Sequence, residues 1–161
     1  MPSKSDYDHF LARKAAQLIR ENFCERGVIN LLVVKTGKRT RRKLGHIKTL
    51  KDREYGSTIE INPILFDPDV PEYVLDYVIM HELTHYFQGF GSNHEKKGTH
   101  PHRGGLVDKE LERLGWKEIM EKSEKWLKES WPTVLQKNGM MRATRPRIKK
   151  ISLFPFHGWF R

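Results

Sequence analysis

The sequence predicts an α+β protein: a small three-stranded sheet packed on one buried helix, with additional helices towards the C-terminus. Three observations carry this. The strand-like segments all fall between Val28 and Asn62, so strands and helices are segregated along the chain. Segments with helical periodicity lie before and after that region. A wide apolar stripe of Val74, Leu75, Val78, Ile79, Leu83 and Phe87 marks the segment from about Pro71 to Gly89 as a helix sunk in the core.

The first helix begins at a cap supplied by Ser5 or Asp6 and runs to about Phe23, with Phe10, Leu11, Ala15, Leu18, Ile19 and Phe23 in one stripe. Val28 to Thr36 is aliphatic and β-branched and reads as a strand central in its sheet. Gly37-Lys38 is a turn signal. Arg39 to Leu50 reads as a second strand, anchored by Leu44, Ile47 and Leu50 and irregular at Gly45. Lys51 to Gly56 is a polar loop. Ser57 to Asn62 alternates, with Ile59 and Ile61 on one face. It is expected to form a short, half-buried strand with an exposed edge open to an extended substrate chain.

Asn62-Pro63 ends that strand, and Ile64 to Phe66 form a turn. Pro71 and Glu72 signal the start of the buried helix, and Gly89 and Gly91 its end. Ser92 to His100 is loop-like. Arg103 to Leu114 and Lys117 to Ser130 read as two more helices, the second stopped by Trp131-Pro132. The expected organisation is one domain over residues 1–136 and a basic, aromatic-containing tail over residues 137–161.

Of the 161 residues 30 are Lys or Arg and 20 are Asp or Glu, a net charge of +10 that favours an anionic partner, most often nucleic acid. The charge is clustered. The segment Lys35–Arg53 holds nine basic residues and one acid, Asp52. Lys137–Arg161 holds seven and no acid, interleaved with Phe154, Phe156, Trp159 and Phe160. Each cluster has a plainer reading, as a solvated strand face and as a tail folded back on the domain. The one cysteine, Cys24, excludes an internal disulfide and a cysteine-based zinc finger, and its place at the end of an apolar helical face reads as core. The polar start of the chain predicts no signal peptide, and no stretch has the ~18 apolar residues of a membrane helix. A cytoplasmic or DNA-associated protein without membrane contact is expected.

The chemistry is concentrated in His81-Glu82-Leu83-Thr84-His85. Helical residues four apart share a face, so His81 and His85 can aim both imidazoles at one Zn²⁺, with Glu82 beside it as the base for a water. A hydrolytic zinc centre needs a third protein ligand. The HExxHxxGxxH pattern is excluded, because positions 88 and 91 hold Gln and Gly. His102, at the opening of the next helix, is the first choice. His100, before Pro101, and Glu110, in mid-helix, are the alternatives, and His94 and Glu95 are further candidates. Asp108, Glu110 and Glu112 are available to orient the histidines.

In their order these segments resemble the SprT-like family of zinc metallopeptidases, which includes the Spartan proteases. The similarity spans about residues 8–116: an opening helix, an aliphatic strand, the basic RTRRKLGH, then STIEINPILF, VLDYVIMHELTH, and His102 with Leu106 and Leu114-Gly115-Trp116. The resemblance implies a zincin-like fold, one Zn²⁺ held by His81, His85 and His102, Glu82 as catalytic base, and proteolysis of protein substrates, in Spartan those crosslinked to DNA. Two features depart from the family. Arg103-Gly104-Gly105-Leu106 follows the third histidine, and a single cysteine leaves no zinc ribbon. DNA contact is therefore expected from Lys35–Arg53 or Lys137–Arg161. The rival expectations are a nucleic-acid-binding module with a structural or inactive metal site, and a metal hydrolase acting on smaller molecules.

Overall fold

Ser3 starts the first helix, two residues earlier than expected. Its hydroxyl accepts from the Asp6 N–H (3.2 Å), while the Asp6 carboxylate accepts from the Ser3 N–H (2.8 Å). This is a reciprocal capping box, with Asp6 at its third helical position and not at the cap itself. The computed structural model describes residues 2–50 and 56–141. The basic positions Lys51 and Arg53, and the tail beyond Met141, lie outside the described residues.

In chain order the elements are helix α1 (Lys4–Asn22), strands β1 (Leu31–Thr36), β2 (Gly45–Thr49) and β3 (Gly56–Ile61), a 3-10 turn (Pro63–Phe66), helix α2 (Glu72–Phe87), a second 3-10 turn (Arg103–Gly105), and helices α3 (Leu106–Arg113) and α4 (Lys117–Lys137). The α+β class and the three-stranded sheet are as expected. The strand order is not. It runs β1-β3-β2, with β1 parallel and β2 antiparallel to β3. The 37–44 connection carries the chain from one edge of the sheet to the other, and β3 returns to fill the gap. β1 is therefore an edge strand, with Leu31 46% exposed, and β3 has no free edge. The expectation of an exposed edge at Ser57–Asn62 is overturned. The alternation of that segment hid its centrality, because Ser57 and Thr58 are as fully buried as Ile59 and Ile61.

One face of the sheet carries Val34, Ile59 and Ile61 into the core, against α1 and α2. Leu11, Ala15 and Leu18 dock α1 on β1. Asp8 ties the two together by accepting from both the N–H and the hydroxyl of Thr36 (2.6 Å each). Every residue of α2 from Tyr77 to Phe87 is buried, as expected of a helix wrapped on all sides by α1, the sheet, α3 and α4.

Two further expectations fail for identifiable reasons. Cys24 is exposed: α1 ends at Asn22, and Phe23 takes the buried place, stacked on Phe87 at 4.2 Å. Trp131-Pro132 does not end α4. Pro132 cannot donate a helical hydrogen bond, but buried Trp131, Val134 and Leu135 hold the last turns in place. Lys137 and Asn138 then anchor the helix end to Asp67 (2.9 and 2.8 Å). Among the described residues no helix is long and apolar enough to cross a membrane.

Candidate metal centre

The helical spacing of His81 and His85 does what the sequence promises. Their Nε2 atoms converge to 3.1 Å, both rings are buried, and they meet edge to face. His102 joins them from the second 3-10 turn. Its ring centroid lies 4.8 Å from that of His85 and 5.8 Å from that of His81. One ligand atom from each of the three lies within 4.8 Å of the others, close enough to hold a metal ion. Two nitrogens of a tetrahedral zinc site with bonds of 2.0–2.1 Å stand about 3.3 Å apart, so the observed pair fits such an ion with little adjustment.

His102 stands at the cap of the second 3-10 turn and is exposed. Gly104 (φ 74°) and Gly105 (φ 64°) after it both adopt the left-handed conformation and kink the chain into α3. His100 is exposed and outside the cluster. Glu110 is turned away into ion pairs with Arg26 (2.9 Å) and Arg113 (3.0 Å). Glu112 faces Lys117 (3.9 Å). Among the described residues Nδ1 of His85 has no hydrogen-bond partner, so neither glutamate orients that ring.

Burial dominates the electrostatics. It lowers the pKa of His81 well below the usual imidazole value, with His85 and His102 adding to the effect. Burial, and then His102, bring His85 down to about 3. Both rings are therefore neutral at physiological pH, the form in which imidazole can ligate a cation. Burial pushes Glu82 up to about 8, opposed by the charge of Lys43.

Gly45 is the residue that lets the sheet pass over this carboxylate. A Cβ there would stand 2.9 Å from Glu82 Oε1, 3.0 Å from its Cγ and 3.2 Å from Val78 Cγ1. The glycine read as a strand irregularity is where β2 begins, pressed on α2. A cleft of about 300 Å³ opens beside the cluster, lined by Glu82, His85 and His102, by Gly45, His46 and Ile47 of β2, and by Phe90 and Gly91 after α2. Among the described residues β2 pairs with β3 alone, so the free strand edge at the cleft belongs to β2. A larger hollow of about 650 Å³ adjoins it around Lys38, Arg41, Arg42 and Lys43.

The sequence reading missed the supports of this cleft. Asn62, taken only as a strand end, donates from Nδ2 to the carbonyls of Thr40 (2.7 Å) and Lys43 (2.8 Å) and accepts from the Ile64 N–H (3.1 Å). Asn30 accepts from the Tyr86 hydroxyl (2.6 Å) and donates to Ser57 (3.0 Å), whose hydroxyl donates to the Gly91 carbonyl (2.7 Å). Asn-Pro before the turn was the only local signal, and the Asn30 contacts are too distant in sequence to leave one.

Comparison of the chain with protein-family models, with curated protein sequences and with solved structures returns no match.

Proposed function

We propose that the protein is a zinc-dependent endopeptidase of the SprT-like type, with a zincin-like arrangement of sheet and active-site helix. The observation that carries this reading is the convergence of His81, His85 and His102 beside the buried carboxylate of Glu82, under a strand with a free edge. His81, His85 and His102 would hold one Zn²⁺, which when bound would supply a Lewis acid to activate water and polarise a scissile carbonyl.

The remaining roles belong to the chain. The β2 edge would align an extended peptide by strand addition, in place of the β3 edge expected from the sequence. Glu82 would take a proton from the attacking water and return one to the leaving amine. Gly45 would keep that carboxylate free to move.

Nucleic acid is the proposed partner of the basic segment Lys35–Arg53, described residues of which line the larger hollow together with Glu60, Ile61 and Asn62. There Arg41 and Arg42 are exposed, and among the described residues neither has an acidic partner. The same hollow would serve the rival reading, a nucleic-acid-binding module with a structural metal site. The buried Glu82 favours the enzyme, since a structural site needs no general base.

The test is bound metal by mass spectrometry together with cleavage of an unfolded protein by wild type and Glu82→Gln, with and without DNA. The reading expects one zinc per chain in both proteins and loss of cleavage by roughly 10²–10⁴-fold in the variant. Equal cleavage by the two would overturn it. Intact DNA binding with no cleavage under any condition would favour the rival.

A further inference from the structure

Lys43 and Lys96 bring two ammonium groups to the cleft beside the histidine cluster, and among the described residues its only carboxylate is Glu82. Both lysines are exposed, and among the described residues no acid pairs with either. Their neighbours on the sheet differ: Glu60 holds Lys48 at 2.7 Å and Lys35 at 3.9 Å. An unpaired cation in a concave wall has a focused field, and two of them act on the same bound group.

The backbone is held at Lys43 and next to Lys96. The Lys43 N–H donates to the Thr40 hydroxyl (2.9 Å), and its carbonyl accepts from Asn62, which is 3% exposed. The residue is thereby fixed two positions before Gly45, where β2 meets Glu82. Beside Lys96, the Lys97 N–H donates to the Gln88 carbonyl at the end of α2 (3.0 Å), and the Gln88 side chain donates to Leu106 (2.9 Å). One lysine thus stands on the connection before β2 and the other on the loop after α2.

We propose that the cleft selects protein segments bearing acidic side chains near the cleaved bond, with Lys43 and Lys96 as the specificity-determining residues. The inference rests on the peptidase reading above. An extended chain along the β2 edge advances about 3.3 Å per residue, so acids at nearby positions come within reach of these ammonium groups. Gly45 and His46 border both the cleft and the hollow with Arg41 and Arg42, which continues the positive surface along the same strand. A peptide fits this cleft better than a nucleic-acid strand does. Its walls include Ile47, and its phenyl ring, Phe90, is 8% exposed and offers no open face for stacking a base.

The test uses the full chain and three peptides that differ only in having Glu, Gln or Lys flanking the cleavable bond. Cleavage is read with zinc-loaded wild type, and binding by fluorescence anisotropy with zinc-loaded Glu82→Gln. The Glu peptide is expected to be preferred over the Gln peptide in both. In Lys43→Glu/Lys96→Glu the Glu-to-Gln ratio should fall roughly tenfold, with Lys125→Glu/Lys128→Glu on α4 as the control for net charge. The ratio is the readout, because Lys43 also acts on Glu82 and changes absolute rates. Cleavage without charge preference, or a ratio unmoved by the double reversal, overturns the inference and leaves the peptidase reading standing. Charge-selective binding with no cleavage by wild type overturns the peptidase reading alone. No binding and no cleavage overturns both. An oligonucleotide that binds at these lysines, with peptides indifferent to them, assigns the cations to nucleic acid instead.

Discussion

Gly45 and Glu82 share a space that only a glycine leaves open: a Cβ at position 45 would lie 2.9 Å from Oε1 of the carboxylate. Gly45→Ala should therefore displace the Glu82 side chain or lift β2 from α2, at a stability cost of about 1–3 kcal/mol. A misplacement of this size at a catalytic base is expected to lower peptide cleavage by roughly 10²-fold. Zinc content should be retained, because the histidines lie on α2 and after it. Unchanged cleavage by Gly45→Ala would show that the carboxylate is free to relocate.

The third histidine can be tested by metal content. His102→Ala should lower zinc affinity by at least ~100-fold, since a closed set of three protein ligands becomes two. His100→Ala should bind as wild type does, because that side chain lies outside the cluster. Competition with a chromophoric chelator reads both, and the reverse order of affinities would reassign the site.

Asn62 holds the connection between β1 and β2 through two hydrogen bonds and caps the Pro63–Phe66 turn through a third, while nearly fully buried. Asn62→Ala leaves two carbonyls and one N–H without their partner, so a loss of about 2–4 kcal/mol in denaturant unfolding is expected. The 37–44 segment should also exchange its amide hydrogens faster than in wild type, which mass spectrometry can follow.

Asp8 supplies a pH dependence. Burial raises its pKa, but the hydrogen bonds from Lys4 and Thr36 outweigh this and hold the carboxyl below its ordinary value of 3.8. A depressed folded-state pKa stabilises the protein above the unfolded value, and that stability is lost as pH falls through the folded one. Asp8→Asn should therefore cost about 1 kcal/mol at neutral pH. The gap between variant and wild type should narrow below about pH 4 as Asp8 protonates. Urea unfolding at pH 7 and pH 3 measures this, and a gap that is the same at both would remove the charge from the account.

How much could be read beforehand depended on sequence distance. The α2 stripe, its start at Pro71-Glu72 and the face shared by His81 and His85 follow from helical periodicity, and each is found in place. The class of the fold and the number of strands follow from local pattern in the same way. The order β1-β3-β2 does not, because periodicity says which residues face the core and nothing about which strand lies beside which. That single uncertainty moved the free edge from Ser57–Asn62 to β2. Pro132 and Cys24 failed for a related reason: buried neighbours outweigh a local breaker in one case and claim the core position in the other.

By itself, then, the sequence determined the helix, the two histidines one turn apart and the carboxylate beside them, because the α-helix converts a spacing of four residues into a shared face. Tertiary structure decided what completes the set. His102 joins His81 and His85 just before the kink at Gly104-Gly105, Glu110 is drawn off by Arg26 and Arg113, and Gly45 admits β2 over Glu82. These are contacts between residues far apart in the chain, set by packing and ion pairing in three dimensions, and no local periodicity encodes them.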